Sequence, residues 1–207
     1  RLELHHGGEL VHVHEQVLGL RFLGTKRRSF YWSAKRWVLR GVNRSAVAEA
    51  KLSEWRDTVA VMIAEQPDER LCNDASLEGV LLVAILNRQV DFRSELRRLA
   101  RWPCVGIIAC PNVGLDFKEA QAIAPNVLFA PWLDGGEPFP AQAPLVFLSE
   151  QELRNKDAFA NPKDRNSALV VYRRSSEIQS LDAARNGCDA IQAAVAPLGH
   201  FGGFVVS

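Results

Sequence analysis

The sequence predicts an α/β fold: a small, degenerate (β/α)8 TIM barrel preceded by an N-terminal β-hairpin region. Three observations predict it. Eight short, β-branched runs recur roughly every 20 to 25 residues after Trp37 and are apolar almost throughout, as strands buried on both faces of a parallel sheet are. Amphipathic helical patterns separate most of these runs. Upstream of Trp37 the rhythm is instead one of alternation broken by turn residues, the mark of antiparallel hairpins.

The first hairpin spans Arg1 to His14, with Gly7-Gly8 between two alternating runs. Both residues of a tight two-residue turn need positive φ, which glycine supplies at little cost. Simple alternation about that turn sets Leu4 opposite Val11 and Leu2 opposite Val13. Glu3 then faces His12, and Arg1 faces His14. His12 and His14 have the spacing of a metal-binding pair, but a solvated polar face is the simpler reading. A second hairpin-like stretch runs from Leu18–Phe22 to Phe30-Tyr31-Trp32 and Lys35-Arg36-Trp37, with the basic tip Lys26-Arg27-Arg28.

The eight expected barrel strands are Trp37–Val42, Val59–Ala64, Val80–Leu86, Cys104–Cys110, Val127–Ala130, Leu145–Leu148, Ala168–Tyr172 and Gly203–Val206. Between them, Phe92, Leu96 and Leu99 share one helical face, and Leu181, Ala184, Cys188, Ile191 and Val195 make a longer stripe. Ser180 and Asp182 suit the start of that second helix, and Pro197 and Gly199 close it. Pro67-Asp68-Glu69 suits another helix start. Residues 132–142 carry Gly135-Gly136, Pro138 and Pro140, which leaves no room for a regular crossover helix.

The 25 Lys plus Arg nearly balance 24 Asp plus Glu, which argues against a nucleic-acid binder that relies on a broad basic field. No apolar stretch approaches the roughly 18 residues of a membrane span. Cys72, Cys104, Cys110 and Cys188 form neither a CxxC pair nor a zinc-type cluster with histidine, so they read as buried free thiols. Neither a metal nor a cofactor is expected, and the compartment is unknown.

Several phrases resemble glycoside hydrolase family 2, the β-galactosidase and β-glucuronidase group. They are Gly19-Leu20-Arg21, Phe30-Tyr31-Trp32-Ser33-Ala34-Lys35 and Leu39-Arg40-Gly41-Val42-Asn43-Arg44. In that family a G-F-R motif ends a sandwich domain, and a phrase of the form F-x-x-N-G-K-P-x-x-L-R-G-V-N-R-H enters the barrel. Arg56-Asp57, Leu71-Cys72-Asn73-Asp74, Glu78–Val83, Trp102–Val105 and Gly202–Val206 resemble further family phrases in the same order. The resemblance implies that residues 1–28 are a β-hairpin closing a sandwich-like domain, and that 29–207 are a compact TIM-barrel-like domain. It also implies that the chain, which begins at Arg1, is part of a larger protein. Its partners would be a carbohydrate and the upstream sandwich domains or another chain.

The likeness fails at the catalytic positions. Retaining glycosidases need two carboxyl groups about 5 to 5.5 Å apart. In the family's register the acid/base position is Val113, after Asn112, and the nucleophile position is Arg173. A second register through Pro144–Glu150 puts Ser149 at the nucleophile position, with Glu150 one residue late. The second-strand phrase V-R-T-S-H-Y-P reads Val61–Pro67, and the histidine after G-V-N-R is Ser45. Valine cannot exchange a proton with a leaving oxygen, and arginine cannot attack an anomeric carbon. The expectation is therefore a barrel that has lost both catalytic glutamates and serves a structural or carbohydrate-binding role. Asn43, Arg44, Asn112, Trp132, Asp134 and Arg173 are the candidate ligand-binding residues, with Trp132 as a stacking platform. The alternative is an active O-glycoside hydrolase using relocated carboxylates from Glu65, Asp134 and Glu150.

Overall fold

A computed structural model describes residues 1–15, 23–87, 91–111, 116–133, 139–140, 143–154, 167–175 and 178–207. The α/β barrel expected from the sequence is present and closed. Its strands are β6 (Leu39–Asn43), β7 (Val61–Glu65), β8 (Leu82–Ile85), β9 (Val105–Pro111), β10 (Leu128–Leu133), β11 (Leu145–Ser149), β12 (Ala168–Arg173) and β13 (Gly203–Val206). All neighbours are parallel and follow in chain order, and β13 returns to pair with β6. Each strand carries two apolar faces, as a barrel strand must. Leu39, Ile63, Val83, Ile107, Ala130, Phe147, Val170 and Val205 fill the interior. Val42, Met62, Ala84, Ile108, Phe129, Val171 and Val206 face the helices.

The helices are α1 (Leu52–Asp57), α2 (Glu69–Glu78), α3 (Phe92–Ala100), α4 (Phe117–Ile123), α5 (Glu150–Arg154) and α6 (Leu181–Val195). Short polar side chains start most of them by accepting otherwise unpaired N–H groups. Asp68 accepts from Leu71 N at 2.8 Å, Asp116 from Lys118 N at 2.9 Å and Ser180 from Ala183 N at 3.1 Å. The apolar stripe on α6 is buried at all five positions named from the sequence. Among the described residues no helix lies between β10 and β11, in keeping with the prolines and glycines there. No helix among them is long and apolar enough to cross a membrane.

Ahead of the barrel, β3 (Leu23–Lys26), β4 (Ser29–Trp32) and β5 (Lys35–Trp37) form a three-stranded antiparallel sheet. It closes the N-terminal end of the barrel. Phe30 is fully buried in the interior cluster, with Leu23 and Trp37 packed against it. Trp37 meets Phe30 edge-on at 6.3 Å and Trp32 at 5.0 Å. Burying a side chain the size of Phe30 contributes about 1.5 to 3 kcal/mol. The β4–β5 turn holds Ser33 at φ 49° and Ala34 at φ 63°, both left-handed, where the family phrase has Asn-Gly. The expected domain break after residue 28 falls at the tip of the β3–β4 hairpin, between two paired strands. Of the expected second hairpin, Leu18–Phe22 lies outside the described residues.

The first hairpin corrects the simple pairing. β1 (Leu2–His6) and β2 (Glu9–His14) turn at Gly7-Gly8 as expected, with φ of 58° and 90°. A bulge then leaves Val11 as an extra residue, so Leu4 lies opposite His12 and Leu2 opposite His14, with Glu3 opposite Val13. One inserted residue shifts every later pair by one position. Leu2, Leu4, Leu10 and Val11 are all more than half exposed, so the hairpin contributes nothing to the barrel core.

Candidate functional site

Barrels of this kind carry their sites at the C-terminal ends of the strands, on the loops that follow. At that end the interior face of each strand contributes one more residue above the apolar layers. The β10–β12 arc carries an aromatic cluster. Trp132 on β10 stacks on Phe147 of β11, with ring centroids 4.9 Å apart and planes 11° apart. Tyr172 of β12 lies against the same indole at 4.7 Å. The Tyr172 hydroxyl donates to the Leu133 carbonyl at 2.9 Å, which satisfies a phenol that is 2% exposed. Trp132 therefore has two aromatic neighbours already and is half-buried as a whole residue.

The adjoining rim is ionic. Glu150, the first residue of α5, accepts from Arg173 Nε at 2.7 Å and from Arg154 at 2.7 Å. Arg154 lies one helical turn further along α5, the spacing at which such pairs meet. The hydrogen bond from Arg173 is the main reason the Glu150 carboxyl is held below its ordinary range; partial burial opposes it, and Arg154 adds to it. Beside this pair, Ser149 Oγ accepts from Glu152 N at 3.0 Å, while Glu152 accepts from Ser149 N at 3.1 Å. That reciprocal capping box starts α5, so Ser149 is engaged as a helix cap.

On the opposite arc, Asn43 ends β6 and accepts from Ser45 N at 3.0 Å and Ser45 Oγ at 2.9 Å. Its side-chain oxygen thereby caps the short 3-10 helix Arg44–Val47. Arg44 and Glu65 are exposed. Asn112, Val113 and Asp134 lie outside the described residues.

Of the residues singled out in the sequence, the fold brings Glu150 and Arg173 into direct contact and sets Trp132 a strand away from Glu150. Glu65 and Glu150 do not meet: β7 and β11 lie four positions apart in a ring of eight strands, on opposite sides of the mouth. Sequence reasoning missed Phe147, Tyr172 and Arg154. Two of these carried a signal: Tyr172 continues the interior alternation after Ala168 and Val170, and Arg154 follows Glu150 at helical spacing. Among the described residues no group of three or more His, Cys, Asp or Glu could hold a metal ion. All four cysteines are buried free thiols.

No protein-family model and no curated protein matches this sequence. Among solved structures, the chain is similar to the catalytic domain of the major endoglucanase from Xanthomonas campestris pv. campestris. The identity is 13%, the match covers 90% of each chain, and the TM-score is 0.48. A likeness of that size assigns no residue a role.

Proposed function

We propose that this chain is a glycosidase-like barrel that does not hydrolyse glycosides and serves as a binding or structural domain of a larger protein. The observation that carries the reading is the engagement of Glu150 by Arg173 and Arg154 at the rim. A carboxylate clamped by two guanidinium groups is a poor nucleophile and a poor proton donor near neutral pH. The family register puts Arg173 itself where a nucleophilic glutamate belongs. Loss of acid/base assistance alone costs about 10² to 10⁴ in rate.

A carbohydrate-binding role draws its support from the part-exposed Trp132, together with the exposed Arg44 at the same mouth. Aromatic faces pack on sugar rings, and arginine donates to hydroxyls. The exposed apolar residues of β1 and β2 fit a hairpin that belongs with a neighbouring sandwich domain rather than with the barrel.

A panel of p-nitrophenyl β-glycosides tests the first claim. Release no faster than in buffer is expected, and turnover that disappears on changing Glu65→Gln or Glu150→Gln overturns it in favour of relocated carboxylates. Calorimetry against a set of oligosaccharides tests the second. Saturable binding weakened by Arg44→Ala and by Trp132→Ala, in variants that melt cooperatively, supports it; no heat across the set leaves the structural role.

A further inference from the structure

Charge is unevenly spread along this nearly neutral chain. Residues 16–48 hold eight of the 25 basic residues and none of the 24 acidic ones. Most of these cations lie on or beside the β3–β5 sheet, at the end of the barrel away from the mouth. Arg40 there is neutralised by Asp189 of α6 at 2.7 Å. Lys26, Arg27, Lys35 and Arg36 are exposed and have no carboxylate partner among the described residues.

Beside this sheet lies an open groove of about 340 Å³ between β5 and the end of α6. Arg36, His200 and Gln192 supply polar groups, and Val38, Pro197 and Phe201 supply apolar ones. Among the described residues the sheet order leaves β5 at a free edge. The two-residue turn makes Trp32 and Lys35 a hydrogen-bonded pair, so Arg36 opposite Tyr31 is a non-bonded pair. The N–H and C=O of Arg36 therefore point away from β4, along the free edge.

We infer that this groove docks an extended acidic peptide segment whose alternate side chains are apolar. Its carboxylates meet Arg36 and His200, its apolar side chains meet Val38, Pro197 and Phe201, and its backbone pairs with Arg36 as an added strand does. The mixed lining favours a peptide over a uniformly charged polymer, because sulfate or phosphate chains leave the apolar half uncovered. The inference concerns the end opposite the mouth and stands whether or not the mouth binds sugar.

The test is fluorescence anisotropy of the full chain with a fluorescein-labelled peptide of four Glu-Val repeats. Saturable binding that weakens as salt rises is expected. Arg36→Glu should weaken it at least tenfold, while Lys118→Glu on α4, an equal charge change elsewhere, should leave it within twofold. Absence of saturable binding overturns the proposal, as does equal weakening by Lys118→Glu. Tighter binding of heparin or of a single-stranded oligonucleotide also overturns it, in favour of a plain polyanion surface. Amide NMR on the unaltered chain supplies a readout independent of any variant: peptide-induced shifts must map to residues 35–38 and 192–201, and shifts confined elsewhere refute the site.

Discussion

Replacing Gly203 by alanine tests whether the barrel closes where the structure closes it. Gly203 opens β13 and pairs with Leu39 at the start of β6. A Cβ built on Gly203 lies 2.5 Å from Leu39 Cβ and 2.8 Å from the Leu39 carbonyl oxygen. Both contacts are far inside van der Waals distance, and one is to backbone, which cannot swing aside. The two strands must separate, straining the pairing and the Leu39 N to Gly202 O bond of 3.0 Å. Overpacking costs about 1 to 3 kcal/mol, and a backbone clash falls at the top of that range. In a domain of this size about 3 kcal/mol corresponds to a fall of roughly 6 to 12 °C in Tm. Circular dichroism melts of Gly203→Ala against Gly24→Ala make the comparison. Gly24 has nothing within 4 Å of a built Cβ, so its variant should melt at or slightly above the parent. A Gly203→Ala protein melting within 2 °C of the parent refutes a β13–β6 seam as tight as this one.

Three further outcomes are expected. Ala34→Gly should stabilise by about 0.5 to 1 kcal/mol, because alanine is held left-handed at φ 63°; a raised urea midpoint with unchanged m-value is the readout. The Glu150 carboxyl is depressed in the folded state by Arg173, so its contribution is present above the ordinary value of 4.5 and is lost as pH falls below it. Acid unfolding curves of the parent and Glu150→Gln should therefore differ above pH 4.5 and converge below it. The thiols should be silent towards Ellman's reagent at pH 8 in the folded protein and all four reactive in denaturant. Burial pushes Cys110 up to about 12 and Cys188 to about 11, and a hydrogen bond with Cys104 together with burial raises Cys72 well above the thiol range.

The barrel was legible because its strands are apolar on both faces, which few other arrangements tolerate. All eight expected runs became strands, and only their ends moved. Val59, read as the start of a strand, instead sits in a turn at φ 54° and is exposed. The bulge at Val11 was invisible because alternation records side-chain polarity and not where an extra residue is accommodated. At the mouth, sequence named Glu150 and Arg173 separately but could not pair them, since a 23-residue separation says nothing about adjacency until β11 and β12 are known neighbours. Trp132 was read as a rim residue, and its stacking on Phe147 and Tyr172 depended on the same unknown order. The basic tip Lys26-Arg27-Arg28 was visible in the sequence, but the acid-free stretch around it, residues 16–48, is hidden in the whole-chain charge by acidic residues elsewhere.

The seam between β6 and β13 also fixes the order in which the molecule can be completed. Its two strands are the first and the last of the barrel, so during synthesis the ring stays open until its last strand, Gly203 to Val206, has emerged. Until then the nascent sheet has two unpaired edges, on β6 and β12, both rich in residues suited to pairing with another chain. Long-range pairing of this kind is slow to form, and everything before it is exposed to intermolecular strand exchange. A chain cut before Gly203 would be left with both of those edges unpaired.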